Sequence, residues 1–255
     1  MGDRPIGFQP EMVKALLAGR KTMTRRLAGR VGKRSEDRLF TPSIWQKAKP
    51  GDRLWVRETW RPQNDDEIWM CVEYQADMAR IKPHIADENQ GGRFESMCER
   101  AEASVPRPNH WKSSRYMPRW ASRITLTVTA VKIERLHAIS NDEGIAEGAK
   151  HFGEIPVNTA LTFGVPSRWS MESPAGTDQC LSSPRWAFAN YWIRLHGQES
   201  WDANPDVVAM SFTVHKDNID HAMAGPRPTD PSAAVDPPRR SDPTDGPASR
   251  LENVK

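Results

Sequence analysis

Cysteine is scarce in this chain. Its 255 residues hold three, Cys71, Cys98 and Cys180, far apart and with no CxxC pair, so neither a disulfide framework nor a zinc knuckle is legible. The seven histidines show no HxH or HxxxH spacing. A metal site is therefore not expected, and no cofactor is implied. No apolar run approaches the roughly 20 residues needed to span a bilayer, and the first residues lack a basic-then-apolar export pattern. No membrane partner is expected, and a reducing cytoplasm is the simplest location. An excess of one charge is missing as well: 36 Lys plus Arg stand against 33 Asp plus Glu, for a net +3. Any basic surface must come from local clustering.

The length is enough to bury a core without staples, and ten tryptophans imply either aromatic packing or exposed stacking surfaces. From Asp217 onward the sequence is rich in Pro, Asp and Ser and nearly free of large apolar residues, which predicts a disordered tail over 217–255. Residues 1–216 then form one domain, with two polar, poorly patterned insertions near 77–116 and 149–182. Proteins with tryptophan-rich cores and proteins with stacking surfaces both remain open at this level.

The predicted elements are short. PEMVKALLAGR places Met12, Val13, Leu16 and Leu17 on one helical face, with Pro10 and Glu11 in the first turn and Gly19 at the C-terminal cap. GDRLWVRETW, 51–60, reads as a strand, and IWMCVEY, 68–74, as its hairpin partner. In 123–133, Ile124, Leu126 and Val128 alternate with threonines, the pattern of a half-buried central strand. SNDEGIAEGAK, 140–150, opens with an N-cap serine and acidic residues; PRWAFANYWIRLHG, 184–197, is a helix from Pro to Gly; VVAMSFTVH, 207–215, is a strand. That order predicts an α+β domain around a small, strongly bent mixed sheet or barrel with flanking helices.

The chemistry concentrates in LLAGRKTMTRR, 16–26, where Arg20, Lys21, Arg25 and Arg26 follow a helix end. A threonine hydroxyl becomes a nucleophile only when a base takes its proton, and a lysine serves as that base only if burial or neighbouring cations lower its pKa. Arg20, Arg25 and Arg26 supply such cations around Lys21 and Thr24. On a regular strand, residues three apart face opposite ways, so Lys21 and Thr24 meet only if the chain turns before the strand, as Gly19 allows. Thr22, Thr24 and Arg26 would share one face.

The helix, GRKTMTRR, PGDRLWVRETW and the strand at 123–133 running into an acidic helix together resemble the ASCH family, whose fold is a PUA-like β-barrel. Of its signature Gly-x-Lys-x-x-Glu-x-Arg, Gly19, Lys21 and Arg26 match, and Thr24 stands where glutamate is commonest. The wording GRKTxT is similar to small bacterial ASCH amidohydrolases that deacylate N4-acetylcytidine. That resemblance implies a catalytic set of Lys21, Thr24 and Glu147, with Glu143 one turn away as the reserve carboxylate. The long form with MPRWAS also resembles ASCH proteins of phages and prophages. The resemblance covers roughly residues 5–216.

Each candidate also has an ordinary structural role. The basic cluster is compatible with a solvated helix C-terminus. Arg57 and Glu58 suit a cross-strand ion pair or ligand contact, Trp55 suits core packing or base stacking, and Arg119 with Trp120 suits a structural latch or a pocket wall. Three functions follow: an amidohydrolase of a modified nucleoside; an RNA- or modified-base-binding module using Lys21, Arg25 and Arg26 on phosphates; and a ribonuclease, an activity also attributed to ASCH proteins.

Overall fold

The computed structural model of the chain describes residues 2–31, 40–64, 70–82, 88–102, 110–153, 168–174 and 180–221. In chain order the elements are β1 (Asp3–Gly7), α1 (Pro10–Leu17), β2 (Met23–Leu27), β3 (Gly29–Val31), β4 (Phe40–Pro42), β5 (Arg53–Arg57), β6 (Trp60–Asn64), β7 (Met70–Tyr74), β8 (Arg80–Ile81) and α2 (Glu88–Glu102). They continue with β9 (Thr125–Arg135), α3 (Asn141–Ala146), β10 (Lys150–His151), β11 (Trp169–Ser170), α4 (Pro184–His196), α5 (Gln198–Asp202) and β12 (Asp206–His215). The fold class is α+β with a mixed sheet.

Five strands form the principal sheet in the order β1-β5-β9-β12-β2. β9 lies at its centre, as the alternation of Ile124, Leu126 and Val128 predicts. β1 runs parallel to β5, and the other pairs are antiparallel. The sequence reading missed β1 because DRPIG carries a proline, yet Pro5 is tolerated on an edge strand, where one side needs no ladder. Between β9 and β12 the register slips, Ser211 opposing Ala130 and Phe212 opposing Val128, and such a bulge bends the pair. Among the described residues the sheet ends on β1 and β2 and is not closed into a barrel.

Leu54, Val56, Leu126, Val128, Val208 and Met210 from the sheet pack with Met12, Val13 and Leu16 of α1 and Phe188 and Trp192 of α4 in one core. Ser140 caps α3 in a reciprocal box with Glu143, and the Ser183 hydroxyl caps α4 by accepting from Trp186 N. Both helix starts were legible from residue type. The partner of β7 is β6, not β5: Trp60 opposes Tyr74 and Asn64 opposes Met70. These strands and α2 build a second cluster around Trp60, Val72, Tyr74, Phe94 and Cys98, and the exposed β8 pairs with β7.

The insertions accordingly contain core. Phe94 and Cys98 of the first are buried, and the second pairs β10 with β11 and delivers Met171 to the main core. Their sparse apolar residues dock one at a time, which a windowed composition does not register. The domain boundary also moves past Asp217. Ile219 is fully buried, and the Asn218 amide donates to the carbonyls of Arg119, Trp120 and Ser122. The expected tail beyond residue 221 lies outside the described residues.

Candidate active site

After α1 the chain turns at Gly19, whose φ of +70° is readily adopted only by glycine among L residues. The amides of Arg20 and Lys21 both donate to Ala15 O, at 3.0 and 3.1 Å. Thr22 N then donates to Ala146 O at 2.8 Å, tying the junction to the end of α3 before β2 begins. This bend brings Lys21 and Thr24 to one pocket of about 340 Å³, shared with Arg25, Arg26, Glu147, Phe8, Met12, Ser114, Met171, Phe188, Tyr191, Trp192 and His196.

Glu147 caps the C-terminus of α3, and its carboxylate is buried. Lys21 Nζ donates to Glu147 Oε2 and to the Glu147 backbone oxygen, each at 2.7 Å. The other carboxylate oxygen accepts from Arg25 Nη1 at 3.2 Å. Arg25 Nη2 donates to Glu134 and Glu143, each at 2.8 Å, and Lys132 closes the network onto those two carboxylates. Of the two candidate carboxylates, Glu147 pairs with Lys21, while Glu143 serves Arg25, Lys132 and the helix cap.

Burial holds the Lys21 amine below the ordinary lysine range; Glu147 opposes that shift, and Arg26 and Arg25 add to it. Desolvation is the largest of these influences. A lysine has three N–H donors when charged and two plus a lone pair when neutral. Two donors rest on Glu147, so loss of the third proton leaves a lone pair for the pocket. Thr24 is 4 % exposed and borders the same space.

The hollow is not the cationic surface that the run of arginines suggested. The Arg25 side chain has no exposed area, and three carboxylates neutralise it together with Lys21. An unpaired buried charge would be prohibitively costly, so the fold supplies acids. Arg25 is accordingly engaged by Glu134, Glu143 and Glu147. Arg26 donates from Nη2 to Gly7 O at 2.7 Å, lies 5.0 Å from the Phe8 ring centroid, and is likewise pushed down by burial. Arg20 donates to Gly148 O and braces the α3 terminus.

The remaining sequence candidates lie off the pocket wall. Arg57 stacks near Trp55 and donates to Arg115 O. Glu58 is buried and accepts two bonds from Arg123, each at 2.9 Å, which is itself shared with Asp77. Arg119 bridges Asp3 and Asp220, a latch between the N-terminus and the end of the domain. Trp120 packs edge-on against Trp60 and Phe94. Sequence reasoning missed the aromatic wall, although its signal was present: Phe188, Tyr191, Trp192 and Leu195 follow i, i+3, i+4, i+7 spacing on α4. Phe8 and Met171 had no such signal.

Among the described residues no group of three or more His, Cys, Asp or Glu side chains is placed to hold a metal ion, and no helix is long and apolar enough to cross a membrane. Comparison with protein-family models, with curated proteins and with solved structures finds no match.

Proposed function

We propose that the chain is an amidohydrolase of N4-acylated cytidine-type nucleosides, a long ASCH-type protein on a PUA-like fold. The observation that carries the reading is the convergence of a buried, down-shifted lysine, a threonine hydroxyl and a buried glutamate on one pocket. Its volume is within the range of small-molecule sites. Phe8, Phe188 and Trp192 give it flat apolar walls suited to a heterocycle.

In this reading Lys21, in its neutral form, takes the Thr24 proton as Thr24 Oγ1 attacks the acyl carbon. Glu147 holds the amine in place through its carboxylate and its backbone oxygen. The lysine proton then passes to the departing exocyclic nitrogen, and water releases the acyl group from Thr24 by the same route. Arg26 binds the sugar or a carbonyl oxygen.

A second reading, a modified-base-binding module without turnover, is favoured by one detail: no hydrogen bond joins Thr24 to Lys21 among the described residues. The RNA-binding and ribonuclease readings draw less support, because Lys21 and Arg25 are spent on carboxylates. Incubation of the purified protein with N4-acetylcytidine, followed by chromatography of cytidine and acetate, separates the two. Release that vanishes in Lys21→Ala supports hydrolysis; tight binding with no release at stoichiometric enzyme supports the module.

A further inference from the structure

We propose that Tyr191 donates its phenolic hydrogen to the substrate's carbonyl oxygen and stabilises the negative charge that gathers there on attack. This deepens the amidohydrolase reading and rests on it. Tyr191 is 9 % exposed, and its hydroxyl is buried with no hydrogen-bond partner among the described residues. A buried phenol ordinarily finds an acceptor. One kept without an acceptor on the wall of a cavity destabilises the empty protein and rewards a ligand that supplies one.

Placement agrees with that role. The side chain borders the pocket that Lys21 and Thr24 border. Its charged neighbours are Glu172 and Arg194 first, then Arg26 and Glu147. It stands on α4 between Phe188 and Trp192, and a helix holds a donor more exactingly than a loop does. Most neighbouring donors are committed, although the Nε atoms of Arg25 and Arg26 are, like the Tyr191 hydroxyl, buried without a partner among the described residues. Lys21 Nζ rests on Glu147, Arg25 on its three carboxylates and Arg26 Nη2 on Gly7 O, while the amides of Lys21 and Thr22 serve Ala15 O and Ala146 O.

The step balances without another reactant. Thr24 Oγ1 loses its proton to the neutral Lys21 amine and bonds to the acyl carbon; the carbonyl π pair moves onto oxygen, where the Tyr191 O–H meets it. Burial pushes the phenol up from its ordinary range, so Tyr191 keeps its proton and acts as a donor only. Collapse restores the carbonyl and expels the nitrogen, which takes the proton from Lys21. A fixed donor of this kind is worth about 10²–10³ in kcat.

Phenylboronic acid tests the donor separately from the substrate, because its boron becomes tetrahedral on the Thr24 hydroxyl and presents an oxygen where the oxyanion would sit. Binding is read by tryptophan fluorescence, and boron geometry by ¹¹B NMR, in wild type and Tyr191→Phe. The expected result is a tetrahedral adduct in wild type and a Kd weakened by on the order of tenfold or more in the variant, whose Tm equals or exceeds wild type because the deleted hydroxyl bonded nothing. Equal Kd values, a wild type that forms no tetrahedral adduct, or a lowered Tm would overturn the proposal. A Tyr191-dependent adduct in a protein that leaves N4-acetylcytidine intact would reject that substrate and uphold the donor.

Discussion

Lys21 Nζ lies 2.7 Å from Glu147 Oε2, across 126 positions of sequence. Both groups are buried, and the carboxylate's charge bears on the lysine amine. Arg26 and Glu147 act on this amine with opposite sign, the first lowering its pKa and the second raising it.

The activity–pH profile should therefore have a rising limb set by Lys21, with its midpoint below the ordinary lysine value of 10.5. Arg26→Met removes a lowering influence and should move the limb to higher pH. Glu147→Gln removes a raising one and should move it lower. Initial rates across pH in the three proteins test this, and a limb that stays put in both variants refutes the assignment of Lys21 as base.

The same shift has a stability signature. Between its lowered folded pKa and 10.5, Lys21 binds its proton more tightly in the unfolded chain, so its contribution to stability rises with pH through that window and falls as pH drops. Urea unfolding of wild type and Lys21→Met at several alkaline pH values should show this slope in the wild type alone.

Thr24→Ala should eliminate turnover at a stability cost of about 1 kcal/mol, since the hydroxyl makes no hydrogen bond among the described residues. Thr24→Ser, which keeps the nucleophile, should retain measurable activity. Equal activity of the alanine variant and the wild type would mean that water, not Thr24, attacks.

Arg123→Met isolates the scaffold. It strands the buried Glu58 carboxylate, which faces Arg123 at 2.9 Å through two bonds, and should cost about 3–5 kcal/mol. Turnover below the new Tm should be unchanged. A selective loss of kcat in a folded variant would instead assign Glu58 a part in the chemistry.

The sequence by itself determined the local elements. Proline and serine starts, glycine ends and the period of apolar residues delivered α1, α3, α4, β9 and β12 close to their observed bounds, because these depend on residues within a few positions of one another. It also singled out Lys21, Thr24 and Glu147, through a resemblance rather than through any geometry legible in the chain. Tertiary structure decided the rest: which strand β7 joins, that Ile219 belongs to the core, and that Arg25 is neutralised by Glu134, Glu143 and Glu147. A run of arginines reads as basic surface until distant carboxylates fold onto it. Burial then reverses the meaning of the charge, and burial is a property of contacts between segments that no local window contains.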